Sequence, residues 1–278
     1  MKKPEYLNWI IEENGEIINN DKILKCYKID YNNDPIVLDS WALHIRRHYI
    51  SDDELADECG SLEVSPADYL KKYVIPQRTE AVGSTARSNT ISEILFSDLM
   101  EFIFQYHVPR CRQYNMSGKT VSEHGTDVIG YKLINTNKKP SINDKLVAVE
   151  VKAVLSKSDV SVINSAVEDS AKDEYRVALT LNYMRRKLKM MGKKEESTDI
   201  LRFQKKTKDG WDYHIDYVAA GITSLPVLTE KEIDGKRVKL IPDIDGSTLA
   251  ISDNTSIFFV HGKQLMKLTH EIYERCIK

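Results

Sequence analysis

The segment that most constrains this chain is a ten-residue run, LVAVEVKAVL, at 146–155. Val147, Val149 and Val151 alternate, as they do on one apolar face of a β-strand. Glu150 and Lys152 fall on the other face, beside Ala148 and Val154. A buried-looking strand carrying two opposite charges needs an explanation, because burying a charge is costly unless it is paired, ligated or used.

The neighbouring pattern supplies a context. A helix is predicted from about residue 90 to 107, with Ile91, Leu95, Leu99, Phe102 and Tyr106 at helical spacing. Phe96, Met100 and Phe104 form a second stripe, and Glu93 lies on it. This helix should therefore be largely buried, ending before Pro109. Residues 81–89 are small and polar and read as a connection. Three strand-like runs follow: a weak one at 110–116, one at 126–134 after a glycine, and a strong one at 145–155. Residues 160–191 read as one or two helices, 213–220 and 257–260 as strands, and 264–277 as a closing helix. This order predicts an α/β core with a mixed central sheet. Residues 1–80 read as a mixed N-terminal region, with a helix start at Ser51, followed by Asp52, Asp53 and Glu54, and another at Ser65-Pro66. The core is then 81–278.

Composition fits an ordinary globular chain of 278 residues, 41% hydrophobic and 29% charged. A net charge of −2 excludes a protein that coats nucleic acid by bulk charge, so a local basic patch or a partner would have to supply the grip. Cys26, Cys59, Cys111 and Cys276 are scattered and form no CxxC pair, which fits a reducing cytosol rather than a disulfide framework. The apolar part of the N-terminus is too short for a signal peptide, and no run approaches the ~18 residues of a membrane helix. A cytoplasmic location is expected.

Upstream of Glu150, the second strand carries Gly125-Thr126-Asp127. Twenty-two residues separate Asp127 from Glu150, enough for a strand, a turn and a neighbouring strand. Adjacent strands lie ~4.8 Å apart, so both carboxylates could reach one hard cation, with Glu93 as a third. Such a cation acidifies water and neutralises charge at a phosphodiester. Lys152 beside it could orient or help deprotonate that water. The neighbouring acids favour its charged form and desolvation opposes it.

The helix with Glu93, the GTD at 125–127 and the EVK at 150–152 together resemble the PD-(D/E)xK nuclease pattern, with Thr126 where that superfamily usually has proline. More narrowly, SWALHIRRHYISDDELADE (40–58), ARSNTISEIL (86–95), GTDVIGY (125–131) and VAVEVKA (147–153) are similar to HamA, the nuclease subunit family of the Hachiman anti-phage defence system. That resemblance implies a restriction-endonuclease-like core with an N-terminal elaboration that binds a partner. It implies a Mg²⁺- or Mn²⁺-dependent DNA endonuclease with Asp127, Glu150 and Glu93 as metal ligands. Glu150 and Lys152 would be the essential pair. It also implies a partner, a HamB-like superfamily 2 helicase that restrains and licenses the nuclease on DNA.

Plainer readings stand beside these. Glu150 and Lys152 could form an ion-pair face on an exposed edge, Asp127 a turn, and Glu93 a helix-dipole acid. His44 and His48 have i, i+4 spacing but lack the acid of a zinc helix, so structural histidines or a partner surface are preferred. His124 reads as a loop histidine. The basic run Arg185, Arg186, Lys187 and Lys189, with Lys193 and Lys194, could contact DNA phosphates or serve solubility. Lys205, Lys206 and Lys208 carry the same alternatives. No GxSxG elbow or GxxxxGK[ST] loop occurs, so serine-hydrolase chemistry is set aside and ATP hydrolysis is left to another chain. The remaining alternatives are a stand-alone restriction or repair nuclease and a non-catalytic docking subunit on a nuclease fold.

Overall fold

In the computed structural model, residues 2–13, 24–114, 116, 118–121, 125–134, 140–205, 213–233, 236–240 and 255–278 are described. His124, Lys206 and Lys208 lie outside them.

The alternating run becomes strand β4 (Asp144–Val154), and it sits inside a six-stranded mixed sheet. The sheet also contains β1 (Ile10–Glu13), β2 (Leu24–Ile29), β3 (Val128–Lys132), β5 (Tyr213–Thr223) and β8 (Thr255–Gly262). Their order across the sheet is β1-β2-β8-β5-β4-β3. The four inner strands run parallel, and β1 and β3 pair antiparallel at the two edges. Strands β6 (Thr229–Ile233) and β7 (Lys236–Leu240) form a separate ribbon. The expected mixed central sheet is therefore present. It draws on both sides of the boundary placed near residue 80, since β1 and β2 lie before it.

Helices cover both faces of the sheet. Val147, Val149 and Val218 pack with Ile91 and Leu95 of α4 (Gly83–Asp98), with Leu99 just after it, with α1 (Pro35–Tyr49) and with α8 (Leu265–Arg275) in one large cluster. On the other face, Leu146 and Ala148 meet Val177, Leu181 and Leu188 of α6 (Asp173–Met190) and Ile200 of α7 (Lys194–Arg202). Val162 and Ile163 of α5 (Val162–Ser170) pack against β2, β5 and β8. Each such large apolar side chain contributes about 1.5–3 kcal/mol by leaving water. Among the described residues no helix is long and apolar enough to cross a membrane.

Three expectations are corrected. The predicted connection at 81–89 is mostly helix, because α4 starts at Gly83. Tertiary contacts override its small polar composition: Arg87 is fully buried, donating from Nε to the Pro76 carbonyl and pairing with Glu274. The same helix gives way to a π-helical turn at Leu99–Ile103, short of the predicted end. No strand forms among the described residues of 110–116. Arg110 has φ of +39°, outside the extended region, and only an isolated bridge, His107 to Tyr131, touches the edge of β3 nearby.

The helix starts at Ser51 and Ser65 form as read. The Ser51 hydroxyl accepts from the Glu54 amide at 3.1 Å to open α2 (Asp52–Leu62), and Ser65 likewise caps α3 (Pro66–Tyr69) through Asp68. His44 and His48 belong to a structural network. His44 Nε2 bonds the fully buried Asp98 at 2.9 Å, and Asp98 is also held by Tyr6 and Arg110. His48 places Nδ1 2.8 Å from the His44 carbonyl and Nε2 2.8 Å from Arg110. Burial, with His44 and Arg110 adding to it, pushes the His48 imidazole down to about 3.

Candidate active site

The antiparallel register of β3 and β4 pairs Val128 with Val149, so the residue before β3, Asp127, comes alongside Glu150. Asp127 accepts the Val151 amide at 2.9 Å on Oδ2 and an Arg112 guanidinium nitrogen at 3.0 Å on Oδ1. Arg112 Nε lies 3.3 Å from Glu93, which also accepts from Gln113 at 2.7 Å. The guanidinium also donates to the Thr126 carbonyl at 2.6 Å. Arg112 thus stands between two carboxylates from different elements. Among the described residues, Glu93, Asp127 and Glu150 do not bring ligand oxygens within 4.8 Å of one another all at once.

Glu150 is 4% exposed and Lys152 projects from the same face of β4. Lys152 Nζ donates to Glu150 Oε1 at 2.8 Å and to Asp169 of α5 at 2.5 Å. This face looks toward α5 and α6 rather than toward open solvent, which disposes of the exposed-edge reading. The other Glu150 oxygen, Oε2, is buried without a hydrogen-bond partner; its nearest cation is Arg176, at 3.6 Å.

Sequence reasoning missed a fourth acid. Asp173 opens α6, is fully buried, and accepts the Thr126 hydroxyl at 2.9 Å on Oδ1 while Oδ2 is buried with no partner. The charges of Glu150 and Asp127 are felt at it. A lone Asp at a helix start normally reads as a dipole acid, so nothing local marked it. Asp169, the second partner of Lys152, sits near the C-terminal end of α5, where an acid reads as an ordinary surface helix residue.

The turn before Asp127 depends on two side-chain choices. Gly125 has φ of +122°, and a Cβ there would sit 2.5 Å from the Thr180 hydroxyl. Thr126 donates its amide to that hydroxyl at 3.0 Å and its own hydroxyl to Asp173. A proline at 126 could make neither bond, which gives the sequence's departure from the usual motif a structural reason.

The electrostatics follow from crowding acids in a buried place. Burial, then Glu93, pushes Asp127 up to about 7, against Arg112, the Val151 amide and Lys152. Burial, then Glu150, pushes Asp173 to about 7. Glu93 and Glu150 are also raised, burial being the main cause. Lys152 settles the competition left open by the sequence. Burial works to lower it, but its hydrogen bonds to Asp169 and Glu150 outweigh that and raise it, so the ammonium stays charged at neutral pH.

These residues fit a hard divalent cation. The donor set is all oxygen, two buried carboxylate oxygens lack partners, and the acids mutually disfavour ionisation unless positive charge joins them. Arg112 now supplies part of that charge. Glu93, Arg112 and Gln113 line an open cleft with Asn89, Lys119 and Thr120, which places one acid of the cluster at a cleft wall.

The predicted basic patch is less uniform than its sequence. Arg186 and Lys189 are exposed on α6. Lys187 is held by the Tyr183 hydroxyl at 2.8 Å and by the Arg112 carbonyl at 3.3 Å, and Arg185 bonds Asn182 at 3.2 Å.

Two comparisons complete the picture. The family model described as HamA matches residues 4–276. No curated protein matches the chain.

Proposed function

The chain belongs to the HamA family, a component of the Hachiman anti-phage defence system, and from that premise we propose that it is the system's metal-dependent DNA endonuclease, with a core of the PD-(D/E)xK type. The observation that carries this reading is the buried group of Glu93, Asp127, Glu150 and Asp173, with Arg112 between Glu93 and Asp127 and a charged Lys152 on Glu150. A structural ion-pair network has no need for two orphaned carboxylate oxygens.

Asp127 and Glu150 would hold Mg²⁺ or Mn²⁺, with Glu93 or Asp173 in support. Bound there, the cation supplies Lewis-acid stabilisation of phosphorus-centred charge and acidifies water. Lys152 acts as a cation, because its two carboxylate partners keep it protonated. It therefore positions the attacking water and the phosphate oxygen by donating hydrogen bonds, and it does not accept the water's proton in its resting state. Asp169 holds Lys152 toward the group. Arg112 must loosen its bond to Asp127 Oδ1 before that oxygen can take another cation.

This last requirement fits a restrained enzyme. The near-neutral chain has little bulk attraction for DNA, so a superfamily 2 helicase that already holds DNA would supply the substrate and the release from restraint. Arg186 and Lys189 are the exposed candidates for phosphate contact, with Arg185 and Lys187 secondary because their side chains are engaged. The setting is the bacterial cytoplasm.

A phage challenge tests the function. Cells carrying the pair with Glu150→Gln in this chain should lose protection while keeping wild-type protein levels. Full protection by that variant would instead assign the chain a docking role on a nuclease fold.

A further inference from the structure

Toward the other edge of the sheet, on the face that carries Lys152, three strands bring a carboxylate, a thiol and an imidazole together. Glu13 ends β1 and pairs directly with Cys26 on β2. Cys26 pairs in turn with Phe259 on β8, two residues before His261. Directly paired residues share a face, as do residues two apart on a strand, so all three side chains project to the same side. Their ligand atoms all lie within 4.8 Å of one another. Cys26 is 1% exposed and His261 is fully buried.

The histidine's surroundings need explaining. Nδ1 lies 2.7 Å from the Leu225 carbonyl, and Nε2 lies 2.6 Å from Glu13. Both ring nitrogens face acceptors, yet a neutral imidazole has one N–H to give. Three arrangements satisfy both nitrogens: a doubly protonated ring beside an ionised Glu13, a neutral ring whose Nε2 accepts a proton kept by Glu13, or a cation in place of that proton. The Leu225 carbonyl fixes the ring with Nε2 toward Glu13 and Cys26, as the outer partners of metal-ligating histidines do. A thiolate, an imidazole and a carboxylate select Zn²⁺ over Mg²⁺.

We propose that Glu13, Cys26 and His261 form a structural Zn²⁺ site that ties β1 to β2 and β8. Binding releases the Cys26 thiol proton and the proton shared between Glu13 and His261 Nε2 to solvent, leaving thiolate sulfur, imidazole nitrogen and carboxylate oxygen as ligands. Glu13 reaches toward the surface, so water completes the tetrahedron. The site is independent of the nuclease reading: β8, the nearest of its three strands, lies two strand steps from β4, ~10 Å across the sheet.

The full chain, purified without chelators and dialysed, should retain about one zinc per chain by elemental analysis. Cys26→Ser and His261→Gln should lower that roughly tenfold, while Asp127→Asn and Glu150→Gln leave it unchanged. The Cys26 and His261 variants could unfold, so a second readout uses wild-type protein. Metal-stripped wild type titrated with Co²⁺ should develop a sulfur-to-cobalt charge-transfer band that Zn²⁺ then bleaches. Absence of both zinc and that band overturns the proposal and leaves a buried Glu13–His261 ion pair. Equal zinc retention by folded Cys26→Ser overturns it as well.

Discussion

Replacing Asp127 with asparagine should change stability in a way that depends on pH. Burial and the neighbouring acids move this carboxyl from an ordinary 3.8 to about 7 in the folded protein. A folded pKa raised above the unfolded one gives stability that is fully present below the unfolded value and lost as pH rises through the folded value. The window is therefore pH 4 to 7, and wild type weakens across it. A shift of that size corresponds to about 4 kcal/mol at most, since coupling to Glu93 and Glu150 shares the effect among several groups. The asparagine side chain cannot ionise, and it forfeits one of the two acceptor bonds to Arg112 and Val151, a loss of about 1–3 kcal/mol that does not vary with pH. The difference between the two proteins isolates the titration. Urea unfolding without divalent metal at pH 4.5, 6 and 8 should find the variant weaker than wild type at the lowest pH. It should draw level with or pass wild type at pH 8. A stability difference constant across the three pH values would refute the assignment of a strained, ionised Asp127.

The remaining expectations use the same cluster. Mg²⁺ should raise the wild-type melting temperature more at pH 8 than at pH 5, because ionised acids both bind the cation and gain from it, and Glu150→Gln should abolish most of that gain. Thr126→Pro, which restores the more usual motif residue, should destabilise by about 2–3 kcal/mol in denaturant unfolding, because it removes the bonds to Thr180 and Asp173. Asp169→Asn should leave the fold intact but lower the rate of DNA cleavage by roughly tenfold or more, since Lys152 loses one of its two holding carboxylates.

Much of this centre was legible before any coordinates. The alternation of Val147, Val149 and Val151 placed Glu150 and Lys152 together, and a strand pair put Asp127 beside them. These are period-two regularities, which survive folding because a sheet imposes them. What escaped notice depends on contacts between distant segments. Strands β1 and β2 have no strong alternation, and their place in the sheet comes from pairing β2 with β8, far along the chain. The helical turn at Gly83–Asn89 is held by buried Arg87, whose partners lie at Pro76 and Glu274. Arg112 read as part of a weak strand, yet its guanidinium is the central cation of the acid group. Asp169 and Asp173 have the sequence surroundings of surface helix acids, and only the packing of α5 and α6 over β4 makes them members of the site. The Glu13–Cys26–His261 group is assembled across 248 residues of chain separation between its ends, beyond any local pattern.

The most direct measurement of the central claim is cleavage of supercoiled plasmid by purified wild type and Lys152→Ala in parallel, with Mg²⁺, first alone and then with the partner helicase and ATP. The account predicts that wild type nicks or degrades the plasmid once the helicase is present, and that Lys152→Ala does neither. Equal cleavage by both proteins, or an intact plasmid with wild type in the complete reaction, would contradict it.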